Sequence, residues 1–201
     1  MTEPSAEEIH AIVQRVVSRT LGLSGQSTPA EVGPPTPAST PSTVSTQAPG
    51  HRIVAIGADH GGFDLKETLK KELSTAGYEV IDAGTYSKEA VDYPDFAHEV
   101  ARLVASGKAW RGIMIDGAGI GSCIVANKVP GVRAGMAYDL SSALNSREHN
   151  DTNVLTLGAG LIGGALAKQI IKTWLTTEFG GGRHQPRVAK IIEIESLYTR
   201  K

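Results

Sequence analysis

The stretch RGIMIDGAGIGS, residues 111–122, is a short apolar run that stops at Asp116 and gives way to glycine at 117, 119 and 121. A bounded apolar run of this length, with turn residues behind it, reads as a strand covered on both faces. A second apolar run, SCIVANK, follows directly, so the glycines carry the chain from a strand into a helix. In such a loop backbone N–H groups turn inward near a helix N-terminus, which suits an anion. As a dinucleotide fingerprint the stretch is weak. Asp139 stands 22 residues after Gly117, near the place of a ribose-binding acid, but Ser122 takes the sixth position of the motif and the helix after it is very short. Asp116 has two readings: a base at the mouth of the loop, or an acid that orders the loop by accepting its N–H groups.

Outward from this turn the pattern repeats. RIVAIG (52–57), YEVID (78–82), VRAGMA (132–137) and NVLTLG (153–158) read as strands beside GIMID (112–116). Helical patterns separate them: FDLKETLKKELSTAG, PDFAHEVARLVASG, the short SCIVANK, SSALNSREH and GGALAKQIIKTWLTTEF, with a last helix after Pro186. Strands alternating with helices require right-handed crossovers and a parallel sheet covered on both faces. Ligands of such sheets bind beyond the carboxyl ends of the strands, and Asp59, Asp82, Asp116 and Asp139 all fall at or just after strand ends.

Three further groups carry candidate chemistry. Asp59 and His60 stand between glycines in GADHGG, where they meet a ligand or else cap the next helix and face solvent. His149 and Asn150 precede the last strand; the histidine is a cap or packed group, or, if it approaches the acidic rim, a site residue. In GGGRHQPRV, residues 180–188, Pro186 suits the first helical position, which puts Arg187 in the first turn and Arg183 just before it. Cations are disfavoured there by the helix dipole, so the two arginines and His184 point to a bound dianion, phosphate above all, with a solvated basic turn as the other reading.

With 201 residues and a formal net charge of −1, the chain holds one good core and offers no electrostatic footprint for nucleic acid or an anionic membrane. One cysteine, Cys123, excludes an internal disulfide and fits a reducing compartment. No apolar run reaches the roughly 18 residues of a membrane span, and no secretory signal pattern opens the chain, so a cytoplasmic location is expected.

The first 50 residues are of other material. Ile9, Ile12, Val13, Val16, Val17 and Leu21 form one stripe of a helix within residues 1–22, with Ser5 and Glu8 as a capping box and Gly22 as its stop. Residues 23–50 hold six of the ten prolines among serine, threonine, glycine and alanine, the composition of an extended tether. A short amphipathic helix on a tether presents its stripe to another surface; folding back on its own domain or self-association is the competing expectation. Residues 51–201 are the main domain.

ADHGGFDLK, DAGTYS with VDYPDFA, DGAGIG with ANKVPGVRA, SREHNDTNVL and GGRHQPRV, in this order and spacing, resemble ribose-5-phosphate isomerase type B and the wider family that includes galactose-6-phosphate isomerase subunits. The resemblance covers about residues 51–190. It implies a doubly wound, Rossmann-like five-stranded parallel sheet in an α/β/α sandwich, and a homodimer, with a tetramer as an alternative, whose active sites lie between subunits. It also implies aldose–ketose isomerisation of a pentose phosphate, between ribose 5-phosphate and ribulose 5-phosphate, without metal, nucleotide or other cofactor, with another sugar phosphate such as a hexose 6-phosphate, or sugar-phosphate binding without turnover, as the alternatives. By the same resemblance, Asp59 and His60 contact the sugar, Tyr93 lines the pocket and His149 opens the furanose. Asn150 and the amides of Gly117, Ala118, Gly119, Ile120 and Gly121 hold an enediolate, and Arg183 and Arg187 grip the phosphate. Many members carry a cysteine where this chain has Asp116 and a hydroxyl residue where it has Ala118; others place a glutamate at the position of Ser122. Asp116 is therefore the expected base here. The N-terminal helix and linker resemble the encapsulation peptides of bacterial microcompartment cargo, which implies a shell protein as partner of residues 5–21 and a compartment lumen as destination.

Overall fold

The structure is a computed structural model, described over residues 52–199. The helix and linker expected for residues 1–22 and 23–50 lie outside the described residues. Five strands form one sheet: β1 (Ile53–Ala58), β2 (Glu79–Asp82), β3 (Arg111–Asp116), β4 (Ala134–Met136) and β5 (Val154–Gly158). All neighbours are parallel, in the order β2-β1-β3-β5-β4. Six helices accompany them: α1 (Phe63–Thr75), α2 (Tyr93–Ala105), α3 (Ile120–Ala126), α4 (Leu140–Glu148), α5 (Gly164–Thr176) and α6 (Gln185–Thr199). The fold is thus the doubly wound α/β/α sandwich, and β4 is shorter than VRAGMA because Val132 closes a turn onto Val129 and Arg133 N–H is held by the Asn153 side chain.

Alternation along β3 sets the two layers. Ile113 and Ile115 face one side, with Val54, Ile56, Leu155 and Leu157, against Leu69 and Leu73 of α1 and Ile170, Ile171 and Trp174 of α5. Met114 faces the other, with Ala55 and Val154, against Val100, Ala101 and Val104 of α2 and Ala126 of α3. Each large aliphatic side chain fully withdrawn from water here contributes about 1.5–3 kcal/mol. On the α2 side the sheet admits no side chain at Gly112, where a Cβ would meet Val100 Cγ1 at 2.6 Å.

The chain winds from β1 out to β2, then back past β1 to β3, so its direction reverses between β1 and β3. Loops leaving those two strands diverge and open a crevice at their carboxyl ends. At the opposite edge, the buried Arg111 guanidinium donates to the carbonyls of Trp174, Leu175 and Thr177 at the end of α5. Arg147 of α4 donates to the same Thr177 carbonyl, and to Thr152 and Asp151. The ends of α4 and α5 are thereby fastened to the amino edge of the sheet. Among the described residues no helix is long and apolar enough to cross a membrane.

Candidate active site

Asp116 ends β3 and is 4% exposed. Its Oδ1 accepts from Ala118 N–H at 2.8 Å and from Gly119 N–H; its Oδ2 accepts from Ser122 N–H at 3.1 Å and from the Ser122 hydroxyl. An ionised carboxylate offers about four lone-pair positions, and all are taken. Gly119, at φ +80°, supplies the left-handed turn that wraps the backbone around the carboxylate. The loop receives an anion as its glycines suggested, and that anion is the chain's own Asp116. Of the five amides expected to face an enediolate, those of Ala118 and Gly119 are occupied by this carboxylate. Among the described residues the N–H groups of Gly117, Ile120 and Gly121 have no protein acceptor.

The β1 loop closes the other wall. Asp59, 8% exposed, accepts from Gly62 N–H at 2.9 Å, and Gly61 lies beside both Asp59 and Gly117. A Cβ at Gly62 would meet the Ile115 carbonyl oxygen at 2.4 Å, so only glycine lets this loop lie against the end of β3. His60 is exposed, with Nδ1 at 3.2 Å from the backbone of Val91. The Tyr93 ring lies on the glycine loop, 2.5 Å from where a Cβ of Gly121 would stand. Asp59, His60, Tyr93, Asp116 and residues 117–121 thus share the crevice. The other two rim acids do not. Asp82 is clamped by Lys66, Lys70 and Gly84 N–H; burial opposes its ionisation, but these bonds outweigh it and hold the carboxyl below its ordinary range. Asp139 caps α4 in a box with Ser142.

His149 is placed differently from the expectation that it approaches the acidic rim. Helix α4 leaves the carboxyl end of β4 and runs back antiparallel to the strands, so His149, its C-cap, reaches the amino edge just ahead of β5. Residues 111 to 116 of β3 alone span about 16 Å at roughly 3.3 Å per residue, which separates the two edges. Nearness to a strand was legible in the sequence; the end of the strand depends on the helix direction.

At this amino edge His149 stacks on His184, ring centroids 4.0 Å apart and planes 10° from parallel. Glu148 carbonyl accepts from Gly180 N–H at 2.9 Å and ties the Arg183 turn to the end of α4, with Asn150 exposed beside it. Gly182–His184 form a 3-10 turn that leads into α6. Arg183 Nε donates to His184 Nε2 at 3.3 Å. Burial, then the charges of His149, Arg183 and Arg187, hold the His184 imidazole below its ordinary pKa against the opposing Glu148. Sequence reasoning counted His184 only as part of a basic turn; its partner could not be read from spacing. Arg183 and Arg187 are exposed, and among the described residues neither is paired with a carboxylate. Two uncompensated guanidiniums beside this histidine are chemically suited to a dianion. No group of three His, Cys, Asp or Glu among the described residues is arranged to hold a metal ion.

Comparison with known proteins shows the family of the chain. The model of the family Ribose/Galactose Isomerase matches residues 54–191. Ribose-5-phosphate isomerase B of Escherichia coli is 49% identical over 142 residues, 71% of this chain and 95% of that protein. D-erythrulose-4-phosphate isomerase of Pectobacterium atrosepticum is 46% identical over 142 residues, 69% of this chain and 91% of that protein. The solved structure of Clostridium thermocellum ribose-5-phosphate isomerase B superposes with a TM-score of 0.72 at 52% identity, covering 73% of this chain and 99% of that one.

Proposed function

We propose that this chain, which belongs to the Ribose/Galactose Isomerase family, interconverts ribose 5-phosphate and ribulose 5-phosphate through an enediolate. The observation that carries the reading is the division of labour between the edges: two uncompensated arginines with stacked histidines at one, a carboxylate with unpartnered N–H groups at the other. A phosphorylated sugar presents the matching pair of ends. Arg183 and Arg187 hold the phosphate, His149 moves the proton that opens the furanose, and Asn150 steadies the hydroxyls. Asp59, His60 and Tyr93 bound the crevice. Asp116 takes the proton from C2 and returns it to C1, while the amides of Gly117, Ile120 and Gly121 stabilise the oxyanion.

Because the two groups sit at opposite edges of one sheet, a site that uses both is built from two copies. Support comes from α6, which exposes Ile191, Ile192, Ile194, Leu197 and Tyr198, and from a groove of about 830 Å³ between β4 and α6 that passes Asn150. We further assign residues 1–22 as a docking helix for a compartment shell protein, on the sequence pattern alone. Residues 23–50 are its tether and 51–201 the catalytic domain.

The four bonds to Asp116 favour a second reading, a homologue that binds the sugar phosphate without turnover. The relative named for D-erythrulose 4-phosphate favours a third, the same chemistry on another sugar phosphate. Rates on ribose 5-phosphate across pH, for the native chain and Asp116→Asn, decide the first two. Native turnover that falls by about 10²-fold or more in a folded, ligand-binding Asp116→Asn supports the base. Binding without turnover in the native chain establishes the second reading, and a panel of tetrose, pentose and hexose phosphates addresses the third.

A further inference from the structure

Resting on His149 as the residue that opens the furanose, the geometry points to the pair Arg147 and Asp151 as the clamp that sets its place. The two residues flank His149 and Asn150 and are joined twice. The Arg147 guanidinium donates to Asp151 Oδ1 at 2.8 Å, and Asp151 N–H donates back to the Arg147 carbonyl at 3.1 Å. One side-chain bond and one backbone bond thus close the turn that carries the histidine. Asp151 stands in the left-handed region, at φ +48°. Glycine makes such a turn without strain. What an aspartate adds is a carboxylate, and both of its oxygens are used. Oδ2 accepts from Arg133 Nη2 at 2.8 Å, and the Asp151 carbonyl accepts from Arg133 Nε at 2.9 Å. The turn is therefore held from α4 on one side and from the entry to β4 on the other.

Arg147, 4% exposed, reaches further. It donates to the Thr152 carbonyl and, through Nε, to the Thr177 carbonyl at 3.2 Å. Thr177 begins the segment that leads to Arg183 and His184, and Gly180 N–H of that segment donates to the Glu148 carbonyl. One guanidinium thus spans the two stretches whose histidines stack, ring centroids 4.0 Å apart. A buried ion pair adds little net stability over well-packed apolar groups, whereas the guanidinium fork fixes directions. Catalysis by a positioned group is sensitive to a misplacement of about 1 Å. Arg147 is buried and both Asp151 oxygens are engaged, so neither residue touches the sugar. They are positioning residues that act through His149. Among the described residues Arg183 and Arg187 make no bond to the pair, so the phosphate grip does not run through it.

The full chain is compared as native, Arg147→Lys, Asp151→Gly and Asp151→Asn, each first shown to be folded by its thermal transition. Lysine keeps the charge and loses the fork; glycine keeps the left-handed turn and loses the carboxylate; asparagine keeps the shape and one acceptor oxygen. The mutual ring-current shifts of His149 and His184, read by NMR of labelled histidine, report the stack without reference to activity. In Arg147→Lys and Asp151→Gly these shifts are expected to collapse and kcat on ribose 5-phosphate to fall about tenfold or more, while the Kd for sulfate stays within about threefold. Asp151→Asn should fall between these variants and the native chain. If Arg147→Lys fails to fold, the two Asp151 variants decide alone. Native ring shifts and native kcat in the folded variants overturn the clamp and leave the isomerase reading in place. An equal loss of kcat and of sulfate affinity overturns it too, because it marks a general loosening of the amino edge. Collapsed shifts with native kcat overturn its part in the proton step. No turnover in the native chain overturns the isomerase reading, and the ring shifts still decide the clamp.

Discussion

At the scale of single residues, the histidine pair explains how a site can wait for a dianion. His184 is kept largely neutral near neutrality because burial and the cations around it disfavour a further charge. A dianion bound by Arg183 and Arg187 cancels those cations, so binding and protonation of His184 assist each other. The sign for stability follows. With its folded pKa below the ordinary 6.5, His184 contributes stability that is complete above that value and declines as pH falls through it. Sulfate, a dianion across this range, is therefore expected to raise Tm more near pH 6 than near pH 7.5. His184→Asn should erase that difference, and Arg183→Ala or Arg187→Ala should each weaken sulfate about tenfold or more. Equal sulfate effects at both pH values in the native chain would sink the coupling. The same scale shows the limits of reading letters. An acid at a strand end before glycines was legible as Asp116, yet whether its carboxylate points to the ligand or back into the loop depends on four donors brought together by folding. The three backbone donors have no identity in the sequence.

At the scale of elements, unbroken apolar runs marked β1, β3 and β5, because a strand covered on both faces has few polar positions to blur it, whereas the edge strands β2 and β4 are only partly covered and had shorter signals. Their ends moved by one or two residues where a side chain took over a backbone bond, as Asn153 does at Arg133. The 3-10 turn at Gly182–His184 had no signal beyond its glycines, and the placement of His149 failed for want of a helix direction. The proposed catalytic residues all fall within residues 51–201, and the apolar spacing Ile9–Leu21 is proposed for docking on sequence pattern alone. Deleting residues 1–50 is expected to leave kcat and KM within about twofold while abolishing retention by an immobilised shell protein. Retention by the truncated chain would end the docking assignment. A changed sedimentation profile after the deletion would instead favour self-association of the helix.

At the scale of the whole molecule, the separation of the two edges turns a question about residues into one about copies. On the proposed assignment neither edge isomerises alone, since the arginine edge would lack the base and the crevice would lack the phosphate grip. If the site joins the crevice of one chain to the His149–Arg187 edge of another, defects on the two edges complement when they sit on different chains. Asp116→Asn and Arg187→Ala, each nearly inactive as a pure protein, are co-expressed in equal amounts. Half of the resulting dimers are hybrids, in which one site carries both defects and the other carries none. Activity is therefore expected to recover to about a quarter of the native value for a two-fold symmetric dimer. Chains that build each site alone would show only the sum of the two residual rates, because a hybrid would then contain no intact site.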